Sequence, residues 1–125
     1  MTISLATLRN VLQGNVAEIK FARRAPKPGA PSKRRMICTT NYAFLNSAKG
    51  RTALNFKPTH KSPKYNPVQK NLLIVWDIFM HDYRSVNMDS CELVTTIPAN
   101  EIFWSYFTEK ISIMTPEQKT AFMNV

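Results

Sequence analysis

The segment Asn71–Phe79, with the sequence NLLIVWDIF, constrains the fold more than any other part of the chain. Its continuous run of apolar, β-branched and aromatic side chains is typical of a central strand in the core of a sheet. A tight reversal follows near residues 80–82, and the next segments, YRSVNMDS and CELVTTI, also have strand character. These patterns predict a meander of strands joined by short turns between Leu72 and Ile97.

The N-terminal segment has the spacing of a short helix. Its apolar residues recur at helical intervals, and they are Leu5, Leu8, Val11 and Leu12. Thr2 or Ser4 is placed to cap this helix, and Gly14 is placed to end it. The next segment, VAEIKFA, alternates apolar and polar side chains and predicts a half-buried strand. A further strand is predicted from Met36 to Thr40.

Helical sequence follows Pro98, which ends the predicted sheet. In ANEIFWSYFTEKI, Phe103, Phe107 and Ile111 lie four residues apart and begin a wide apolar surface that must be covered. Either this helix packs on the sheet or closes one end of a barrel, or part of it docks on a partner or a second copy. The last segment, TPEQKTAFMNV, predicts another helix, with Thr115 as the N-cap of a capping box.

These elements predict one domain, residues 1–125, of the mainly β class with flanking helices (α+β). The expected architecture is a small SH3-like or Sm-like barrel of four to five strands, with a short N-terminal helix and a C-terminal helical tail. The barrel core would cover about residues 16–97, with basic loops at residues 24–33 and 48–69, and the C-terminal helices about residues 98–124. An open α+β sheet is the alternative.

The positive charge of the chain is concentrated in one half. Residues Ile19 to Trp76 hold thirteen of the 17 Lys and Arg and none of the eight Asp and Glu. A block of one sign is typical of a face that meets nucleic acid or an acidic partner, although a well-solvated surface has the same composition. Solubility needs much less net charge than this, which favours a partner.

Two loops carry twelve of these thirteen cations, and Lys20 lies in the predicted strand before them. Strand pairing would bring the cations at the two ends of the first loop into one patch, and they are Arg23, Arg24, Lys27, Lys33, Arg34 and Arg35. The second loop contributes Lys49, Arg51, Lys57, Lys61, Lys64 and Lys70, interleaved with Phe56, His60 and Tyr65. Cations suit phosphates, and an exposed ring such as Tyr65 suits a stacked base. Phe56 is placed either to stack in this way or to lie buried under the loop with Leu54.

The chain offers few groups for catalysis or metal binding. Cys38 and Cys91 lie in apolar segments, where we expect reduced and buried thiols. Together with His60 and His81 they lack the paired spacing of a zinc site, and with three glycines the chain has no phosphate-binding glycine loop. The adjacency of His81 and Asp82 predicts a local turn hydrogen bond. We expect a non-catalytic protein without a metal or a cofactor.

The sequence also predicts a cytosolic protein. No apolar run approaches the roughly 18 residues of a membrane span. The N-terminal residues, MTISLATLRNVLQG, lack the basic lead, long apolar block and cleavage site of a signal peptide. We therefore expect no membrane partner, and the sequence leaves the oligomeric state open.

The segments CTTN, VWD and YRSVNMDS resemble motifs of a family of small bacteriophage proteins that are similar to the WYL-type proteins. That family is described as Sm-like, SH3-type β-barrels. A strand ending in a hydrophobic residue and Asp leads there through a turn to a strand with an aromatic residue and Arg, as Trp76, Asp77, Tyr83 and Arg84 do here. The resemblance covers roughly Val16–Val94 without the Lys-rich loop. It implies a compact barrel, a phage setting in the host cytoplasm, and binding of nucleic acid or a regulatory ligand.

Two functions of different classes follow. The first is a nucleic-acid-binding protein that contacts RNA or DNA mainly at backbone phosphates, because no zinc-finger, zipper or ribonucleoprotein motif is present to read sequence. The alternative is a host-directed module that binds and modulates an acidic surface of a host protein such as RNA polymerase, a nuclease or a defence factor. Its anchors would be the aromatic residues Phe103, Trp104 and Phe107.

Overall fold

A computed structural model describes residues 2–23, 28–29, 31–58 and 66–124. The strands are β1 (Asn15–Ala22), β2 (Lys33–Thr39), β3 (Leu72–Asp77), β4 (Asp82–Asn87) and β5 (Glu92–Pro98). The helices are α1 (Leu5–Gly14), α2 (Tyr42–Leu45), α3 (Ala48–Ala53), α4 (Glu101–Tyr106) and α5 (Pro116–Met123). One-turn 3-10 helices occupy Val68–Lys70 and Met88–Ser90, and α4 continues directly into a π-helix, Phe107–Ile111.

The two terminal helices begin where the sequence predicts. Ser4 caps α1 by accepting a hydrogen bond from the Thr7 backbone N–H at 3.2 Å, and the helix ends at Gly14. The capping box at the start of α5 is confirmed. Thr115 Oγ1 accepts from the Gln118 backbone N–H, and the Gln118 side chain accepts from that of Thr115. Local capping chemistry therefore fixes both boundaries.

The five strands form one antiparallel sheet in the order β4-β3-β2-β1-β5. The predicted hairpin of β3 and β4 is present, with Leu72 opposite Asn87 and Asp77 opposite Asp82. The predicted meander is wrong at its next step, because β5 pairs with β1 rather than with β4. The 3-10 turn after β4 redirects the chain, and its Ser90 hydroxyl accepts a 3.0 Å hydrogen bond from the Ala22 backbone N–H of β1.

The sheet is strongly bent. In a flat sheet four strand spacings would separate β4 from β5 by about 19 Å. One turn of 3-10 helix and its two flanking residues span only about 13 Å. The edges must therefore curl towards each other, although no ladder joins β4 to β5 within the described residues. The observed class is mixed α+β with a five-stranded antiparallel sheet.

Two cores lie on opposite faces of this sheet. Adjacent strand residues such as Ile37 and Cys38 belong to different clusters, as the alternation of a strand requires. The first core joins α1 to all five strands, with Leu8 and Leu12 from α1, Ile19, Met36, Val75 and Val86 from the first four strands, and Leu93 from β5. The second core is rich in aromatic side chains and packs α2, α4 and the segment that follows α3 on the other face, with Phe122 and Met123 of α5 against it.

The predicted second loop contains regular structure. Residues 48–69 include α3 and a 3-10 helix at Val68–Lys70, so the loop prediction is wrong there, whereas residues 59–65 lie outside the described residues. Ser47 caps α3 by accepting from the Gly50 backbone N–H at 3.1 Å. A Cβ atom at Gly50 would lie 2.1 Å from the Leu45 carbonyl oxygen, so only glycine fits this approach of α3 to α2.

Candidate nucleic-acid interface

Antiparallel pairing of β1 and β2 gathers the cations at the base of the first basic loop. Ala22 lies opposite Lys33, and Phe21 lies opposite Arg34. Beyond the strands the Arg23 backbone N–H donates to the Ser32 carbonyl at 2.8 Å. The hairpin basic surface therefore consists of Arg23, Lys33, Arg34 and Arg35. Arg24 and Lys27, which the sequence assigns to the same patch, lie outside the described residues.

Arg34 does not point freely into solvent. Its Nη2 donates to Oδ2 of Asp77, a carboxylate that is 1% exposed. Burial lowers the pKa of Arg34, the charge of Asp77 opposes that shift, and the positive charges of Arg84 and Arg23 add to it. Arg34 therefore lies beside one buried carboxylate and within electrostatic range of two further guanidiniums.

The neighbouring cations differ in their contacts. Arg35 Nε lies 3.6 Å from the Glu18 carboxylate, and Arg23 donates to the side-chain oxygen of Asn124. Lys33 is exposed and forms no ion pair with any residue that the structure describes. The hairpin basic surface thus combines one accessible lysine with three arginines that are held against the protein.

The cations of the second basic region lie beside different helices. Lys49 on α3 forms a 2.6 Å ion pair with Glu101 of α4, and both side chains are exposed. Arg51 Nε donates to the Asn46 side chain at 2.9 Å. Lys57 and Lys70 are exposed. Lys61, Lys64 and Tyr65 lie outside the described residues, so the predicted stacking residue has no described position.

Phe56 is buried, which confirms one of its two predicted positions. Phe56 is 2% exposed and Leu54 is fully buried. The Phe56 ring packs edge-on against Trp76, with ring centroids 5.5 Å apart. Phe56 therefore anchors the segment after α3 to the sheet and offers no face to a nucleic-acid base.

The proposed aromatic anchors for a host protein are largely occupied within the chain. Phe103 is fully buried, and Trp104 stacks on Phe44 with centroids 4.7 Å apart. Only Phe107 is half-buried. The assignment of Phe103 and Trp104 to a partner interface is therefore corrected: their rings fill the second core. The exposed apolar residue of α4 is Ile102, which is not among the predicted anchors.

An open cleft of about 550 Å³ lies between α2, α3 and the start of α4. Phe44 and Trp104 line it, and the Lys49–Glu101 ion pair lies at its edge. Because its single lysine is already paired with a carboxylate, the cleft has little excess charge to attract an anion. Lys33 and Lys57, two exposed lysines without an ion pair in the described ranges, do not line this cleft.

Both cysteines are free and buried, as predicted. Burial raises the pKa of the Cys91 thiol to about 11, with a further contribution from Glu92, and burial raises the pKa of Cys38 well above its ordinary value. The reactive thiolate is therefore suppressed at neutral pH. Within the described part of the chain, no three His, Cys, Asp or Glu side chains meet to hold a metal ion.

The turn after β3 behaves as predicted, because Asp82 accepts from the Tyr83 backbone N–H at 2.7 Å. His81 Nδ1 donates to the Leu54 carbonyl oxygen at 2.6 Å.

No described helix is long and apolar enough to cross a membrane.

Sequence reasoning missed the roles of Asp77 and Arg84 beside the hairpin. A carboxylate that directly follows a buried strand requires a charged or hydrogen-bonding partner, and that signal was available at Asp77.

Comparison of the chain with models of protein families, with curated proteins and with solved structures found no match. The function must therefore be inferred from the geometry and charge of the chain itself.

Proposed function

We propose that this protein binds nucleic acid, RNA or DNA, mainly through backbone phosphates and without catalysis. The observation that carries the proposal is the segment from Ile19 to Trp76, with thirteen Lys and Arg and no Asp or Glu. Phosphates neutralise such a segment and release its counterions, which is the main source of sequence-independent affinity for nucleic acids.

The folded arrangement supports this use of the charge. Pairing of β1 with β2 concentrates four cations at one end of a hairpin. Lys33 and Lys57 are exposed, and neither forms an ion pair in the described ranges. Such lysines are available to a phosphate without breaking an existing contact. Phe103 and Trp104 are buried within the chain and are not available to anchor a host protein, so we do not favour the alternative role as a host-protein module.

We expect little sequence preference. A helix that reads a DNA groove presents several polar or basic side chains to base edges. The longest described α-helix, α1, has Arg9 as its single cation and buries Leu8 and Leu12 against the sheet. Contacts to phosphates position a protein without reading bases, so affinities for different sequences should be similar.

We also propose the finer architecture and origin that the sequence suggests, an SH3-like or Sm-like barrel in a bacteriophage protein that acts in the host cytoplasm. The bend of the sheet and the single core shared by all five strands support the barrel. The motif VWD ends β3, and YRSVN forms most of β4, as the resemblance to the phage family implies.

A matched pair of variants tests the proposed function. In the first, Lys33→Gln and Lys57→Gln remove two exposed cations of the basic segment. In the control, Arg9→Gln and Lys110→Gln remove two exposed cations from outside it. We expect the first variant to bind labelled single-stranded RNA or DNA more weakly, with a log-log salt slope shallower by about 1.4. The control should keep the wild-type slope.

Equal losses in the two variants would mean that net charge alone governs binding, which would contradict an interface in the basic segment. Wild-type affinity in both variants would contradict it as well. Thermal unfolding of each variant checks that the fold is intact. Exposed lysines without ion pairs change stability by less than about 0.5 kcal/mol.

A further inference from the structure

The end of the chain covers the arginines of the hairpin basic surface. The Arg35 guanidinium carbon lies 4.8 Å from the centre of the Phe122 ring. Arg34 Nη2 lies 3.9 Å from Sδ of Met123. Two successive residues of α5 thus contact two successive arginines of β2, which places α5 directly on the surface that the sequence assigns to phosphate binding.

Arg23 continues this series by donating to Oδ1 of Asn124, the residue that follows α5. The Nε atoms of Arg23 and Arg35 are buried without a hydrogen bond to any described residue, although Arg35 Nε lies 3.6 Å from the Glu18 carboxylate in an ion pair. Buried donors without acceptors are uncommon in folded proteins. Guanidinium groups bind phosphate oxygens in short, charge-assisted hydrogen bonds, so a phosphate is the natural acceptor for these hidden donors.

The helix that covers them is weakly attached. No residue of α5 is fully buried, although Phe122 packs against Phe79 with ring centroids 5.1 Å apart. Lys119 adds a contact with the face of the same Phe79 ring at 5.8 Å. Helices as short as α5 are marginal without tertiary packing. Phe122 and Met123 pack against the second core only as partly buried side chains, and α5 is the one described α-helix without a buried residue, so it is the helix best placed to undock.

The charge beneath the helix is not balanced. The two carboxylates that contact these arginines are Asp77 and Glu18. They face three arginines of the hairpin, whereas the nearby Arg84 is itself paired with Asp82 at 3.2 Å. An anion is therefore attracted to this part of the molecule, whereas α5 supplies only a thioether, an aromatic ring and one amide as partners.

We propose that Arg23, Arg34 and Arg35 form a concealed phosphate-binding site, and that nucleic acid gains access to it by displacing α5. The proposal rests on the proposed function and specifies how that interface is regulated. The exposed lysines make the first contact, and α5 sets how much of the full interface is open. The affinity measured for the intact protein is then the intrinsic affinity reduced by the fraction of molecules with α5 undocked.

Two variants of the full chain that keep its net charge test this. The contact variant is Phe122→Ala with Met123→Ala. The cap variant is Thr115→Ala with Gln118→Ala, which weakens α5 without touching an arginine. We expect both to bind labelled single-stranded RNA or DNA more tightly than wild type, the cap variant by about fivefold. The log-log salt slope should not change, because the bound state is the same. Ala121→Ser, on an exposed position of α5, is the control.

Hydrogen exchange of the unaltered protein gives an independent readout. When labelled RNA or DNA saturates the wild-type chain, the amides of α5 should exchange faster, whereas those of β1 and β2 should exchange more slowly. Slower or unchanged exchange in α5 would overturn the concealed site.

The two proposals fail in different ways. If wild type binds but the cap variant binds equally well or more weakly, α5 does not conceal the site, and the nucleic-acid function still holds. If neither wild type nor the loosened variants bind RNA or DNA, the proposed function fails and the concealed site fails with it.

Discussion

Asp77 is the buried acid at the end of β3, and its two carboxylate oxygens have different partners. Oδ1 accepts from the backbone N–H groups of Phe79 and Met80 at 2.9 and 3.1 Å, which fixes the turn to β4. Oδ2 accepts from Arg34 of β2. One side chain thus connects the turn to the hairpin that carries the basic residues.

The variant Asp77→Asn should therefore destabilise the protein by about 3 kcal/mol, because it leaves the half-buried Arg34 without its counter-charge. Asparagine can still accept the two backbone hydrogen bonds, so the loss reports mainly on the ion pair. Urea denaturation measures the effect. The control Asp82→Asn changes an exposed carboxylate in the same turn and should cost less than about 1 kcal/mol. Equal losses at the two positions would contradict a buried ion pair.

At this scale the sequence predicts which cations are neighbours but not where they point. The pairing of β1 with β2 follows from strand patterns on either side of the loop. The inward turn of Arg34 depends on Asp77, 43 residues away. The contact of Arg35 with Phe122 depends on the C-terminal helix. Such long-range partners leave no local pattern.

Helix α4 has one side in the second core and the other side exposed to solvent. Phe103 is fully buried, whereas the preceding residue, Ile102, is 59% exposed. The residues at four-residue spacing do face the core, because Phe103 and Ile111 are buried and Phe107 packs against the second core. The spacing did not show that Ile102, which the sequence adds to the same apolar surface, is exposed.

Substitutions at Phe103 and Ile102 test which side of α4 faces the core. Phe103→Ala should destabilise the protein by about 3–5 kcal/mol through lost packing and a cavity in the second core. Ile102→Ala should cost less than about 0.5 kcal/mol, because that side chain contributes little to the core. Chemical denaturation measures both. A large loss for Ile102→Ala with a small one for Phe103→Ala would contradict the observed orientation of α4.

The elements that the sequence predicted best are those with local signals. Side-chain caps mark the starts of α1 and α5, and the apolar run marks β3. The helices α2 and α3 were missed because they have only four and six residues. Gly50 in the middle of α3 allows the close approach to Leu45. Short helices stabilised by tertiary contacts give little periodic pattern.

For the whole molecule, strand order is where sequence reasoning failed. Segments that follow each other along the chain usually pair, which favoured a meander. The bend of the sheet brings β5 to the free edge of β1 instead, with Asn15 opposite Pro98 and Lys20 opposite Glu92. This strand order accompanies a core that α1 and all five strands share, a property that no single segment encodes.

The charge asymmetry is also a property of the whole chain. All eight acids lie outside Ile19–Trp76, and among the described residues folding pairs Glu18, Asp77 and Glu101 with cations of that segment. Folding therefore neutralises part of the positive charge and leaves the rest on the surface. That remaining charge is the basis of the proposed interaction with phosphates.

The most direct test of this account is fluorescence anisotropy of the wild-type protein with labelled single-stranded RNA, single-stranded DNA and duplex DNA across a series of salt concentrations. If about five phosphates are neutralised, affinity should fall with a log-log slope of about −3.5 for single strands and about −4.5 for duplex. Weak binding to all three polymers near physiological salt, or affinity that does not change with salt, would contradict the claim that the basic segment binds nucleic acid.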